Sequence, residues 1–337
     1  MLTIIDHIPD GLLQVALRDL HRILPGPTLM HLPGRRPEPL FVSVILHGNE
    51  GAGFRAIQSV LSKYQGQQLP RALSVFFGNV TAAREGLRRL PDQPDYNRIW
   101  PGAEITSLPE NAMARAVIDA LRPRGLFAAI DVHNNTGLNP HYACLNRLDQ
   151  PFLRLAQLFS RTVVYFQRPL GVISEALAPL CPAVVIECGK PDNAHGNVEA
   201  VEFIETALHL AEFPAHAIPA GDVDLYHTIG IVTVPLDIGL GPGQATTHIR
   251  FENNIDHLNF RDLPAGTRLA YAHGTAVVPL IVRNEDGHIV TDDYLELRNG
   301  EIITRRGIMP AMLTLDERVI RQDCLCYFME RLPYPVT

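Results

Sequence analysis

The chain has 337 residues, of which 46% are hydrophobic and 19% are charged, and its formal net charge is −7. This length exceeds what one hydrophobic core usually covers, so it predicts two domains. The acidic balance, without a dense cluster of lysine or arginine, argues against nucleic acid or a membrane surface as a partner and favours a small-molecule ligand.

The N-terminus and the cysteines indicate a cytoplasmic protein. Residues 1–10 contain two aspartates and lack the basic start of a secretory signal. No apolar run reaches the roughly 18 residues that cross a bilayer. Five cysteines are an odd and sparse set for this length, which favours reduced thiols over a disulfide framework.

The elements predicted for residues 1–215 alternate between helices and strands. Residues 1–40 are expected to form an N-terminal extension of open role, with a helix over 12–24. Strands are expected over residues 41–46, 73–77, 126–132, 162–166 and 183–188, and helices over 51–64, 110–121, 150–161, 174–178 and 194–212. Continuous apolar strands between helices indicate an α/β sheet that is covered on both faces.

Residues 216–337 have a different pattern. Short strands, separated by Gly, Pro, Asn and Asp, are expected over residues 229–234, 248–251, 267–272, 276–282 and 294–298. No helix is expected among them. We therefore predict two domains, an α/β domain over residues 1–215 and a smaller C-terminal all-β domain over residues 216–337.

Two strands of the first region end in candidate metal ligands. Residues 47–50 read His-Gly-Asn-Glu and follow the first buried strand, and residues 131–133 read Asp-Val-His and end another. The carboxyl ends of strands in such a sheet meet at one edge. Imidazole nitrogen and carboxylate oxygen are both zinc ligands, so His47, Glu50 and His133 predict a catalytic zinc site with one open position. Five other histidines have no comparable setting: His141, His195, His227, His257 and His273.

A candidate base follows another buried strand. Glu187 comes after four apolar residues, which are too apolar for an edge strand, and a buried carboxylate is costly unless it has a purpose. Burial raises the pKa of a carboxyl group, which suits a group that takes a proton from water and later delivers it to a leaving group. Glu187 is therefore predicted to be the general base and acid of a hydrolase.

The expected loop over residues 78–109 is long and basic, and loops of this length are usually functional. Arginine binds carboxylates through paired hydrogen bonds and stabilises the oxyanion of a tetrahedral intermediate. Asn97 and Arg98 suit the binding of a substrate carboxylate, and Arg88 suits the second role. A second substrate carboxylate would need a further cation, for which the unranked candidates are Arg84, Arg89, Arg168 and Lys190.

Taken together, these motifs resemble the succinylglutamate desuccinylase/aspartoacylase family, whose members are relatives of the zinc carboxypeptidases. The shared order is residues 47–50, 78–79, 86–88, 95–98, 131–134 and 186–189. The resemblance covers roughly residues 40–210 and implies a zinc-carboxypeptidase-like mixed sheet flanked by helices, with a β-rich C-terminal domain. Departures are Val80, where family members often have proline, about two extra residues near 91–94, and the long N-terminal extension.

The resemblance also implies an activity, the zinc-dependent hydrolysis of the amide bond of an N-acyl amino acid. The implied roles are binding of one zinc ion per chain by His47, Glu50 and His133, acid–base catalysis by Glu187, carboxylate binding by Asn97 and Arg98, and carbonyl polarisation by Arg88. A zinc metallocarboxypeptidase that acts on peptides is the alternative, and a non-catalytic binding protein is another. The acyl group, the amino acid and a homo-oligomeric state stay open.

Overall fold

The computed structural model of this protein describes residues 1–191, 194–214, 216–241 and 247–334. The α-helices in these ranges are α1 (Ala52–Lys63), α2 (Val80–Glu85), α3 (Pro109–Leu121), α4 (Gln150–Phe159), α5 (Ile173–Leu177), α6 (Ala194–His209), α7 (Thr291–Tyr294) and α8 (Glu317–Gln322). Short 3-10 helices cover Leu17–Arg22, Arg122–Arg124 and Ile255–Leu258. In the described part of the chain, none of the helices is long and apolar enough to cross a membrane.

The same ranges contain seventeen strands. They are β1 (Thr3–Ile5), β2 (Thr28–Leu32), β3 (Gly34–Val44), β4 (Leu69–Phe77), β5 (Ala128–His133), β6 (Tyr142–Leu145), β7 (Thr162–Tyr165), β8 (Ala183–Glu187), β9 (Asp224–Thr233), β10 (Gly239–Leu240), β11 (His248–Phe251), β12 (Arg268–His273), β13 (Ile281–Arg283), β14 (Leu295–Arg298), β15 (Glu301–Thr304), β16 (Met309–Ala311) and β17 (Cys326–Arg331).

A large mixed sheet is the centre of the fold, which confirms the predicted α/β class. Its strand order is β1-β2-β4-β3-β5-β8-β6-β7-β9-β17-β16, and β13 pairs with β9. Strands β4, β3, β5 and β8 run parallel, whereas β6 runs antiparallel to β8. Strands β5 and β8 and the last six residues of β3 are completely buried, because helices cover the sheet.

The C-terminal region is rich in strands but is not clearly a separate all-β domain. Strands β9, β13, β16 and β17 extend the main sheet, while β10-β11-β12-β15-β14 form a second sheet. A distinct hydrophobic core is built within residues 232–328. Contrary to expectation, the short helices α7 and α8 lie among these strands. The boundary at 215/216 stays a prediction, and residue 215 itself lies outside the described residues.

The N-terminal residues are part of the main sheet rather than an appended extension. Strands β1 and β2, which the sequence pattern did not predict, extend its edge, with β2 antiparallel to β4. The helix expected over residues 12–24 is reduced to the 3-10 helix Leu17–Arg22. Leu12 and Leu20 are nevertheless buried. The apolar spacing therefore predicted which side chains meet the core, although it did not predict the backbone conformation.

A constrained corner connects β3 to the residues that follow it. Ile45 has a φ of 52°, which is unusual for a β-branched residue, and its carbonyl accepts a hydrogen bond of 2.7 Å from the amide of Asn79. Gly48 passes so close to α2 that an added Cβ would lie 2.2 Å from the nitrogen of Ala83. Packing therefore holds the corner in place and directs His47 over the end of the sheet.

Candidate metal and catalytic site

Three buried side chains, His47, Glu50 and His133, converge at the carboxyl edge of the main sheet. The carboxylate of Glu50 lies between the two rings, with 2.8 Å from Oε1 to Nδ1 of His47 and 2.8 Å from Oε2 to Nδ1 of His133. The three side chains offer ligand atoms that lie within 4.8 Å of one another. The structure thus brings together the three residues that the sequence predicted as a metal site.

The other nitrogen of each imidazole faces an aspartate. Nε2 of His47 lies 3.0 Å from Oδ1 of Asp95, and Nε2 of His133 lies 2.7 Å from Oδ2 of Asp131. The hydroxyl of Ser43 donates to the second oxygen of Asp131 at 2.5 Å. Carboxylates in this position fix the orientation and tautomer of histidines that bind metals.

The charges of the cluster fit a divalent cation. Burial disfavours charge on both rings, yet the neighbouring carboxylates raise the pKa of His47 and of His133. Burial also opposes ionisation of Glu50, but the two rings lower its pKa. A dication held by His47, Glu50 and His133 would add positive charge that these buried carboxylates favour. Two imidazole nitrogens and one carboxylate oxygen are also the donor set of a catalytic zinc site.

Glu187 is the last residue of β8 and lies beside the cluster formed by His47, Glu50 and His133. It pairs in register with His133 of β5, and only 5% of its surface is exposed. Burial raises the pKa of its carboxyl group to about 7. The amide of Asn135 donates to its Oε2 at 3.3 Å. A carboxyl group with this pKa is suited to exchange protons with a reacting group near neutral pH.

Both predicted arginines reach the same site, and both are bound by carboxylates of the chain. Nη2 of Arg88 donates to Asp95 at 2.9 Å and to Asp323 at 3.1 Å, while its Nη1 lies 3.6 Å from Oε1 of Glu50. Nη2 of Arg98 donates to the other oxygen of Asp323 at 2.8 Å. Asp323 therefore bridges the two arginines and occupies donors that a substrate could use.

Asn97 is buried beside His133, and both the oxygen and the nitrogen of its side-chain amide have partners. Its Oδ1 accepts a hydrogen bond of 3.1 Å from the backbone nitrogen of Ile173, at the start of α5. Its Nδ2 lies 3.3 Å from Nε2 of His133. In this arrangement the side chain of Asn97 connects α5 to His133. Its contact with a substrate carboxylate stays a prediction.

One cavity of about 700 Å³, a volume that includes space open to solvent, is lined by the predicted ligands, base and substrate-binding residues: His47, Glu50, Arg88, Asn97, Arg98, His133 and Glu187. Six residues of the C-terminal region complete its wall: Thr228, Ala311, Met312, Asp323, Tyr327 and Met329. Of the four candidates for a further cation, Arg168 lines the cavity, whereas Arg84, Arg89 and Lys190 do not. The C-terminal region thus contributes directly to the site.

Two site residues were missed by sequence reasoning. Asp95 stands in the quoted motif over residues 95–98, so its position could have been found, but the pattern did not show that it contacts His47. Asp323 lies between α8 and β17, 225 positions from Arg98 along the chain. No local pattern marks it, because its role depends on how the C-terminal region packs over the site.

A second group of possible metal ligands lies outside this cavity. His141 and His195 both face the carboxylate of Glu199, and Nε2 of His195 lies 2.9 Å from Oε1 of that residue. The ligand atoms lie within 4.8 Å of one another. The expectation that the other histidines lack a metal-type setting is therefore wrong for these two.

The comparisons with known proteins concern the fold. No protein-family model and no curated protein gives a significant match to the sequence. Among solved structures, succinylglutamate desuccinylase from Chromobacterium violaceum is 22% identical, with a TM-score of 0.53, covering 69% of this chain and 76% of that one. Murine aminoacylase 3 is 16% identical, with a TM-score of 0.57 over 88% of this chain and 96% of that one.

A succinylglutamate desuccinylase/aspartoacylase from Rhodobacter sphaeroides is 15% identical, with a TM-score of 0.56 over 90% of this chain and 89% of that one. The chain is thus a mixed α/β protein with a His-Glu-His cluster at the edge of its sheet. Its fold is that of the succinylglutamate desuccinylase/aspartoacylase structures, so the resemblance inferred from the motifs is confirmed at the level of the fold.

Proposed function

We propose that this protein is a zinc-dependent amidohydrolase that removes the acyl group from an N-acyl amino acid. The observation that carries the proposal is a buried carboxyl group, Glu187, with a pKa of about 7, in the same cavity as His47, Glu50 and His133. The names of the structural neighbours, which include desuccinylases and an aminoacylase, support the same class of reaction.

His47, Glu50 and His133 would hold the metal, since their donor set suits zinc. A zinc ion supplies Lewis acidity, which polarises a carbonyl group and makes a water molecule more acidic. Asp95 and Asp131 keep the two imidazoles oriented through their Nε2 atoms.

The remaining residues transfer the proton and bind the charged groups of the substrate. Glu187 accepts a proton from the attacking water as the oxygen of that water bonds to the amide carbon. It then delivers that proton to the amine nitrogen as the C–N bond breaks. Arg88 donates to the carbonyl oxygen while negative charge develops there. Arg98, with Asn97, binds the free carboxylate of the amino acid.

The alternative is a zinc carboxypeptidase that acts on peptides, since the same groups could release a C-terminal residue. The cavity wall favours the deacylase. Asp323, Tyr327 and Met329 come from the C-terminal region and line the same cavity as Arg98 and the predicted metal ligands. A small N-acyl amino acid fits such a space better than a peptide chain.

A direct assay tests the proposal. The zinc-loaded protein is incubated with a panel of N-acyl amino acids and, in parallel, with short peptides, and the released amine is quantified. Release from the N-acyl amino acids is the expected result. Cleavage of peptides alone would establish the carboxypeptidase, and zinc binding without hydrolysis of either panel would reject both activities.

A further inference from the structure

The cavity beside Glu187 has a wall that is mostly apolar. We infer that this wall receives an apolar group of the substrate, so that the preferred substrates are N-acyl amino acids with a branched or aromatic substituent rather than a second carboxylate. The inference rests on the proposed hydrolase function and names its substrate class.

The sheet itself forms the floor of the cavity. Val185 and Glu187 are two residues apart in β8 and so share a face of the sheet. In β6, Cys144 pairs with Val185 and Tyr142 pairs with Glu187. Val164 of β7 pairs in turn with Cys144. All five side chains line the cavity, so the face that carries Glu187 continues outwards as an apolar row.

The C-terminal strands extend this apolar surface. Met329 of β17 lines the cavity and pairs with Thr228 of β9. Ala311 of β16 also lines it and packs with Tyr142 and Met329 in one hydrophobic cluster. Phe166, directly after β7, adds an aromatic ring to the same wall. An apolar group that is enclosed here leaves water, which favours binding.

The arginines deep in the cavity are already matched by carboxylates. Arg88 binds Asp95 and Asp323, and Arg98 binds Asp323. If the carboxylate of one substrate amino acid displaced Asp323 from these arginines, the balance of positive and negative charge would be kept. A second substrate carboxylate would therefore need another cation.

Arg168 is the remaining arginine among the described residues that line the cavity, and it is engaged elsewhere. Its Nη1 donates to Glu104 at 2.8 Å, and its Nε donates to the carbonyl oxygen of Glu285 at 2.6 Å. A substrate carboxylate placed against the apolar wall would lose its hydration without gaining a cationic partner, which disfavours binding.

The test compares matched substrate pairs with the zinc-loaded enzyme. N-acetyl-L-leucine is paired with N-acetyl-L-aspartate, and N-isovalerylglycine with N-succinylglycine, so that each side of the amide is varied in turn. In at least one pair, kcat/KM should favour the apolar member by about tenfold or more. A preference for the apolar member of less than about tenfold in both pairs, or a preference for the acidic member in both, would overturn the inference. Hydrolysis of none of the four would instead reject the proposed function on which it rests.

Two neighbouring valines of β7 give a matched pair of variants. Val164 lines the cavity, whereas Val163 points to the opposite face and belongs to the main core. Threonine keeps nearly the same shape and replaces a methyl group by a hydroxyl in each. Val164→Thr should lower the ratio of apolar to acidic kcat/KM several-fold, and Val163→Thr should leave the ratio unchanged. An unchanged ratio in Val164→Thr would contradict the assignment of the wall.

Discussion

Oδ1 of Asp323 accepts a hydrogen bond of 2.8 Å from Nη2 of Arg98, the arginine that is predicted to bind the substrate carboxylate. Its Oδ2 accepts one of 3.1 Å from Arg88. The carboxylate of Asp323, from the C-terminal region, thus binds both arginines where a substrate carboxylate is predicted to bind. A substrate carboxylate that binds as predicted would have to compete with Asp323 for these donors.

The substitution Asp323→Asn should therefore strengthen substrate binding. Asparagine keeps the size of the side chain and one acceptor oxygen but removes the charge, and a neutral hydrogen bond is roughly half as strong as a charge-assisted one. We expect KM for an N-acyl amino acid to fall by about threefold to tenfold, with kcat little changed. Steady-state kinetics measures both constants.

The matched control for this variant is Asp262→Asn, because Asp262 is an exposed aspartate whose nearest cation, Arg331, is 3.7 Å away. The control should retain the KM of the unmodified protein. A higher KM in Asp323→Asn would mean that Asp323 holds Arg98 in its binding orientation and does not compete with the substrate.

The variant Glu187→Gln should bind zinc and fail to turn over substrate. Glutamine preserves the shape of the side chain but cannot accept a proton from water, and loss of a general base costs about 10²- to 10⁴-fold in rate. Zinc content by elemental analysis should stay at the level of the unmodified protein, since the predicted ligands are His47, Glu50 and His133. Activity close to normal in this variant would remove Glu187 from the mechanism.

The rate should also depend on pH through Glu187. Burial raises its pKa from the ordinary 4.5 to about 7. The base acts in its ionised form, so kcat/KM should rise with pH and level off above the pKa. A zinc ion nearby favours the ionised form, which places the midpoint between 4.5 and about 7. A pH–rate profile of the zinc-loaded enzyme measures this midpoint, and a flat profile across that interval would be incompatible with the role of Glu187.

Sequence patterns predicted the parts of this site that are local to a strand end. His47, His133 and Glu187 each follow an apolar run, and apolar runs in an α/β sheet place their carboxyl ends at one edge. The partner of Arg98 could not be predicted in this way. Asp323 reaches it only because β9 and β17 continue the main sheet and carry the C-terminal region over the cavity. The pattern of residues 216–337 shows short strands but not the strands with which they pair.

The substitution Asp131→Asn should weaken zinc binding without removing a predicted ligand. Oδ2 of Asp131 lies 2.7 Å from Nε2 of His133 and fixes that ring, so an amide in its place would orient the ring less well. Loss of such a partner typically costs about 10- to 100-fold in metal affinity. Competition with a chelator measures the zinc Kd. An unchanged Kd would show that Asp131 serves the fold rather than the metal site.

The substitution Gly48→Ala should disturb the corner that carries two of the predicted ligands. The new Cβ would lie 2.2 Å from the backbone nitrogen of Ala83, so α2 would have to move. Overpacking of this kind costs typically about 1–3 kcal/mol in the free energy of unfolding, and zinc affinity should fall because His47 and Glu50 flank the site of the change.

The control for that variant is Gly26→Ala, because an added Cβ at Gly26 meets nothing within 4 Å. Chemical denaturation of both variants gives the free energies of unfolding, and chelator competition gives their zinc affinities. Gly26→Ala should match the unmodified protein in both measurements. If Gly48→Ala also retained full stability and zinc affinity, the close contact between the corner and α2 would not be what positions the ligands.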